Sequence, residues 1–597
     1  MGRINCKMMQ PACFVYVVAA VIILLLVQYL PPLDHDSDDS EDCLRRWGLF
    51  RSRRPCLRVG KSEWSARQTW KKTAVGEEAT LVYVERTEVI YRKSAAIPPK
   101  KIKSAVRQKA EFRFANYFQD GMVLQRGKPG ARVWGFGEAN QEVHVTFQSS
   151  LLKTVIEADG TWLIQLPPSE AGGPYDIEAT SVVDGDKEMV PLRAVLFGDV
   201  WLCSGQSNME FQVQQMFNGT EELQYARTYK DSIRFLQILK SDAPNPLLEP
   251  DIYQAWAMPS SVSLAEFSAV CWAFGRRLQE KLDIPVGLIG SYYGGTPIRA
   301  WSPPEVGEQC PTTPLTDLEM PMYEPWLLKY PADPSVLWNA MIAPLTPLQI
   351  KGALWYQGEA DAMGARPDDY LCLFPAMIAS WRKAFRSARL PFGFVQIGDK
   401  NEEDTGTPVV RWHQTADVGF APNKVLQNVF MAVAMDLPDP DSPYNSIHPR
   451  YKEEVAQRLT LGALNTVYGV KVPFQGPYPI ALSQAGSQLT IHFDPAPIIV
   501  KNSSNHNFEV CCAGIPMSSW QDCHSWVPSS ITSSTIKAIT LDVTECQGKG
   551  VAFLRYAWKV TPCAYLRCDI YGTNTALPAP PFVIPVEGSK KLNSFRA

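Results

Sequence analysis

The stretch from Gly198 to Glu210, GDVWLCSGQSNME, carries the strongest chemical signal in the chain. A short apolar run, Val200-Trp201-Leu202, ends abruptly in Cys203-Ser204-Gly205-Gln206-Ser207-Asn208. This pattern predicts a buried strand that breaks into a tight turn and then a helix. Such a turn sets its central side chain at the carboxyl edge of a sheet, where N–H groups of the new helix face whatever binds. Ser207 occupies that place. Taken alone it reads equally well as a turn residue or helix N-cap, so nucleophilic chemistry depends on finding its partners. The second glycine of G-x-S-x-G is absent, with Asn208-Met209 in its stead, so this is not the ordinary nucleophile elbow.

A serine hydroxyl is a weak nucleophile and needs a base within hydrogen-bond reach, most often histidine. The chain holds seven histidines, so the search is short. His35 falls in a charged leader, His144 in an N-terminal strand-rich region, and His492, His506 and His524 in a C-terminal one. His413, in Arg411-Trp412-His413-Gln414, suits a structural or a substrate-facing role. His448, in Asn445-Ser446-Ile447-His448-Pro449, stands just before a proline fit to open a helix and is the best base. A base is usually oriented by a carboxylate on its other nitrogen. Asp436 and Asp441 lie upstream as candidates, while a backbone carbonyl would leave a Ser-His dyad. Acyl transfer also needs donors for an oxyanion. The Ser207 N–H, a Gly295 N–H in Tyr293-Gly294-Gly295-Thr296 and the Gln357 side chain in Gln357-Gly358-Glu359 would supply three. Paired glycines are commonly plain turns and a strand-end Gln is commonly a cap, so it is the combination that favours catalysis.

These residues need a scaffold that brings strand ends together. Between 195 and 472 short apolar strands (195–202, 286–290, 352–356, 392–397, 429–435) alternate with amphipathic helices (268–282, 370–385, 449–468), the pattern of a doubly wound parallel sheet. Ligands of such sheets sit beyond the carboxyl ends of the strands, and the polar, glycine-bearing motifs fall there. Residues 111–194 and 473–597 read instead as strands and turns, predicting two flanking β-sandwich-like domains. Six cysteines in the second, Cys511, Cys512, Cys523, Cys546, Cys563 and Cys568, lack metal-site spacing and predict disulfides in an oxidising compartment.

The leader differs. Residues 12–30 are uncharged and apolar over about the length that crosses a bilayer; basic residues precede them and acidic ones follow. This predicts a single-pass anchor with residues 1–11 in the cytoplasm and the rest in a lumen or outside, a cleaved signal peptide being the alternative. Residues 31–110 read as a stem or linker. Residues 1–110 carry 20 Lys/Arg against 11 Asp/Glu, which leaves 38 against 50 for the remainder; that acidic balance argues against nucleic acid as a partner. In a luminal chain Asn218 and Asn502 are glycosylation acceptors. No metal or nucleotide motif is present, and the chemistry calls for no cofactor.

The motifs GDVWLCSGQSNM, GGTP before Ala300-Trp301, WYQGE, RWHQTAD, AMD and IHPR resemble those of the sialate O-acetylesterases, a family of SGNH-type hydrolases, and the resemblance extends from about Phe112 to Pro585. It implies an α/β fold with an SGNH-like three-layer doubly wound sheet, Ser207 as nucleophile, His448 as base, and Gly295 and Gln357 at oxyanion positions. It also puts forward Gln206, Asn208, Tyr293, Arg299, Glu359 and His413 as residues lining the substrate. The implied reaction is removal of acetyl groups from sialic acids or sialoglycoconjugates, chiefly at the 9-hydroxyl, in lysosomes or along the secretory route. Three sites depart from the family pattern: Tyr293 replaces a common Trp, Arg299 a common Glu, and the pair Ala360-Asp361 a Ser-Asn pair. The anchor and stem are also unlike the family's simple signal peptide. Another acetylated carbohydrate, or sialoglycan binding by a decayed site, are the alternative readings; the oligomeric state is open.

Overall fold

The computed structural model describes residues 111–183, 186–311, 330–364, 366–398, 404–501, 506–513 and 517–586. The expected cytoplasmic tail, anchor (12–30), stem and Asn502 lie outside them. Among the described residues no helix is long and apolar enough to cross a membrane. Asn218 is exposed, at the start of a short helix, Gly219–Tyr225.

The apolar run ahead of Ser207 is the inner half of one long strand, β1 (Asp186–Gly205), whose last eleven residues are all buried. Its outer half pairs antiparallel with Gly172–Val183. Its inner half lies at the centre of the main sheet, between β4 (Val286–Tyr292) and β5 (Gly352–Tyr356), parallel to both. Beyond β4 come β2 (Ile233–Ile238), parallel, and β3 (Ile252–Ala257), antiparallel; beyond β5 come β6 (Phe392–Gln396) and β7 (Val429–Val433). All five expected strands are present, and β2 and β3 extend the sheet past the sequence reading. The boundary drawn at 194/195 falls inside β1, so the N-terminal β-region and the main sheet share a strand.

Strands fully buried along their length, as β4 to β7 are, need helices over both faces. Four of the helices that follow are α1 (Ser207–Glu210), α2 (Ala269–Leu282), α3 (Glu359–Ala362) and α4 (Tyr370–Ala384). The last two are α5 (Gly406–His413) and α6 (Lys452–Thr466). A disulfide between Cys203 and Cys271 ties β1 to α2, and Cys310–Cys372 holds α4 to the preceding segment; neither pair was expected from the sequence. The C-terminal region forms two four-stranded antiparallel sheets and a two-stranded one. Its six cysteines pair as Cys511–Cys523, Cys512–Cys546 and Cys563–Cys568.

Just past β7, Asp436 is fully buried. It takes a bidentate bond from Arg458 on α6 (2.5 and 2.9 Å), a hydroxyl bond from Tyr571 (3.0 Å) and, on its carbonyl, the Leu566 N–H (2.8 Å). Asp436 therefore joins the main sheet to the C-terminal region. Because removing one partner strands the other charge without solvent, Asp436→Asn is expected to cost about 3–5 kcal/mol of stability. Urea unfolding followed by far-UV circular dichroism measures this.

Candidate active site

Strand register sets the site. Gly205 lies opposite Tyr292 on β4 and Tyr356 on β5, so three parallel strands end at one height and their turns converge. A Cβ on Gly205 (φ +140°) would lie 2.2 Å from the Tyr356 carbonyl oxygen, which only glycine tolerates. Gln206 then donates its N–H to that same carbonyl (3.0 Å), and Ser207 opens α1 with the orphan N–H groups of a helix start around it. The glycine loop passes close over it, since a Cβ on Gly294 would sit 3.2 Å from that of Ser207. Glu210 pins this loop by accepting the Gly294 N–H (2.8 Å), and is itself held by Lys240 (2.6 Å). The next N–H, that of Gly295, has no hydrogen-bond partner among the described residues.

His448 Nδ1 lies 2.7 Å from the Tyr444 carbonyl oxygen. A carbonyl can only accept, so Nδ1 carries the proton and neutral His448 presents a bare lone pair on Nε2, the tautomer a general base needs. Surrounding protein pushes its pKa down; the Tyr444 carbonyl opposes this, nearby Lys452 adds to it, and Glu210 opposes it. Neither proposed acid orients the ring. Asp436 is engaged with Arg458 and Tyr571, and Asp441 is exposed, its carbonyl 3.4 Å from Arg450. Asp439, between them, makes a bidentate pair with Arg450 (2.7 and 2.8 Å). The partner of His448 Nδ1 among the described residues is the Tyr444 carbonyl.

The His448 loop is tied to the Ser207 turn through Asn208. Its Nδ2 donates to the Ile447 carbonyl (2.9 Å) and to Glu359 Oε1 (2.6 Å), while its Oδ1 accepts from Lys452 Nζ (2.7 Å). All three side chains are buried, and burial raises the Glu359 pKa, partly offset by Asn208.

Several residues expected to line the substrate are scaffold instead. Asn208 and Glu359 serve as just described. Gln206 is buried and accepts the N–H groups of Gly358 (3.4 Å) and Ala360 (3.2 Å), capping α3. His413 is clamped between Asp417 (2.6 Å) and Asp368 (3.2 Å); burial lowers its pKa, but the two carboxylates outweigh burial and raise it. Gln357 is corrected as an oxyanion donor. Its amide hydrogens go to the Thr296 carbonyl (3.1 Å) and the Asp361 carboxylate, and its Oε1 takes the Tyr370 hydroxyl (3.2 Å). Asp361, which also accepts the Ile298 N–H (3.0 Å), is pushed up to about 6 by desolvation against the pull of Gln357, Ile298 and Arg299. Two of the three departures from the family pattern, Arg299 and Asp361, are thus electrostatic neighbours. Arg299 and Tyr293 are half-buried; Arg299 Nε donates to the Ala332 carbonyl (2.7 Å), and Lys240 Nζ lies 5.5 Å from the Tyr293 ring centre. Lys452 and Tyr444 escaped the sequence reading. A lysine at the start of an amphipathic helix looks solvated, and Tyr444 acts through its backbone, which no side-chain type reveals.

Comparison with known proteins follows the same residues. The family described as "Carbohydrate esterase, sialic acid-specific acetylesterase" matches residues 197–459, and "Sialate O-acetylesterase C-terminal domain" matches 479–586. The sialate O-acetylesterase of Rattus norvegicus is 40% identical over 518 residues, covering 79% of this chain and 94% of the relative. The one of Homo sapiens is 41% identical over 497 residues, covering 79% and 92%. A solved carbohydrate acetylesterase from Xanthomonas citri superposes with a TM-score of 0.65 at 26% identity, covering 79% of this chain and 99% of that one. Since these matches span both the catalytic and the cysteine-rich regions and nearly the whole length of the relatives, the chain belongs to the sialate O-acetylesterase family.

Proposed function

We propose that the protein is a carboxylic ester hydrolase that removes O-acetyl groups from sialic acids, chiefly at the 9-hydroxyl, through an acyl-enzyme on Ser207. The observation that carries the chemistry is the His448 Nδ1–H held on the Tyr444 carbonyl, on a loop that the neighbour of Ser207 anchors. His448 Nε2 takes the Ser207 proton as Oγ attacks the acetyl carbon. The carbonyl oxygen becomes an oxyanion that the Ser207 and Gly295 N–H groups receive. The bond to the sugar oxygen then breaks, and His448 returns the proton to that oxygen. Water, activated by the same nitrogen, releases acetate and frees Ser207. The cation that forms on His448 is balanced by the Tyr444 carbonyl and Glu210, so the pair works as a dyad.

Sialic acid as the substrate is supported by the relatives' names and by the sialic acid-specific family match. Tyr293 and Arg299 are the residues we assign to substrate choice, since they flank the glycine loop; their departure from the family pattern favours, as a second reading, another acetylated carbohydrate. Five disulfides among the described residues support a secretory-route location, lysosomal or extracellular, with residues 12–30 as an uncleaved type II anchor.

Ser207→Ala is expected to lower kcat for acetyl release from 9-O-acetylated sialic acid by about 10³-fold or more with an unchanged melting temperature; full turnover in that variant would sink the proposal. The base acts as neutral imidazole, so kcat/KM rises as His448 loses its proton. Because its environment lowers the pKa, the acid limb should lie below the ordinary imidazole value of about 6.5, as a pH profile of kcat/KM would show. Arg299→Ala should raise KM more for the acidic sugar than for a neutral aryl acetate, which parallel kinetics on the two substrates would test.

A further inference from the structure

Lys452 is fully buried, with its Nζ 4.6 Å from the Phe211 ring centre and 5.5 Å from that of Tyr356. Proton transfer between Ser207 and His448 does not itself require a cation there, and a buried cation is costly without partners. Its partners are specific. Nζ donates to Asn208 Oδ1, next to the nucleophile (2.7 Å), and to the carbonyl of Pro449, next to the base (2.6 Å). One ammonium thus spans the residues that follow Ser207 and His448 in the chain.

We propose that Lys452 is a positioning residue for the esterase reaction, fixing the His448 loop onto the Ser207 helix and opposing a second positive charge on His448. This rests on the Ser207–His448 reading above.

Charged and titratable groups face Lys452 from several elements: Glu359 on α3, Asp439 after β7 and the Tyr356 phenol on β5. His448 is faced by Lys452 and by Glu210 on α1. Glu359 Oε2 and the Tyr356 hydroxyl are buried without a hydrogen-bond partner among the described residues. Burial pushes Lys452 down to about 7 against the pull of Glu359 and Asp439. Lys452 is consequently a cation on the acid side of neutrality, the range in which an ordinary imidazole takes up a proton. There its charge disfavours protonation of His448 and keeps Nε2 available. Above neutrality it sheds that charge, yet a neutral amine still donates two hydrogen bonds, so the Asn208 and Pro449 contacts persist. Tethering works at all pH values, and the charge acts where the base is in danger of protonation.

The test measures kcat and KM for an aryl acetate, with the full chain, from about pH 5 to about pH 9, across the range where imidazole and amine titrate. Lys452→Met is expected to lower kcat near neutrality by about tenfold to a hundredfold through misplacement of the base, and to move the acid limb of kcat/KM to higher pH. Lys452→Arg, which keeps the charge, should leave the acid limb in place even with kcat reduced. Should the Met variant not fold, Lys452→Gln, which keeps a donor for Asn208 and removes the charge, gives the acid-limb readout, and Lys452→Ala gives the kcat readout for the tether. An acid limb unmoved by either neutral variant overturns the electrostatic part, and an unchanged kcat overturns the tether. Ser207→Ala run alongside separates the failures. Turnover surviving it defeats the underlying reading, whereas an inactive Ser207→Ala with an unmoved limb defeats only the role given to Lys452.

Discussion

Gly205 has no side chain, and the backbone of β5 comes so near that a methyl group would meet its carbonyl oxygen. That closeness lets β1 lie between two parallel neighbours in full register up to its last residue. Three turns then leave the sheet at one height, and each delivers a different part: Ser207 from the first, the glycine loop from the second, the Gln357–Glu359 corner from the third. The chemistry needs little else of the sheet. It needs the strands to stop together, and their pairing enforces this.

Around those turns, several buried charges are paired. Asp436 meets Arg458, Asp439 meets Arg450, and His413 sits between two carboxylates. Such pairing offsets the penalty for burying charge and keeps these groups engaged with one another. His448 is different, because its only partner through Nδ1 is a backbone carbonyl. An aspartate there would raise the basicity of the ring, whereas a carbonyl fixes the tautomer without adding a full charge. In the proposed dyad the base is thereby aimed without added basicity, and Lys452 is among the groups that lower its pKa.

The sequence made the frame legible because hydrophobic runs and polar strand ends follow from burial, which local composition reports directly. Ser207 and His448 were legible for a related reason, since few residue types can attack or accept a proton. The family resemblance places Gln206, Asn208, Glu359 and His413 toward the substrate and Gln357 at the oxyanion, uses that amides, carboxylates and imidazoles often have. The same groups also cap helices and bridge loops, and only three-dimensional neighbours tell the uses apart: α3 for Gln206, Ile447 for Asn208, Asp361 for Gln357. The partner of His448 Nδ1 is illegible for a different reason, as a carbonyl belongs to every residue and leaves no mark in the sequence. Cys203 and Cys271, 68 residues apart, could be paired only once β1 and α2 were known to touch. The strand β1 likewise hid the join at 194/195, where β-rich and α/β textures meet within a single element.

Tyr571 and the Leu566 N–H both reach Asp436, while Tyr565 stacks on Tyr451, three residues past the base, with ring centres 4.1 Å apart. At the other end, β1 carries the N-terminal β-region straight into the nucleophile turn. The three regions are therefore not modules that recombination could exchange one at a time. A crossover on either side of the central segment would uncover Arg458 or cut the strand that ends at the serine, so the three regions have to be inherited together.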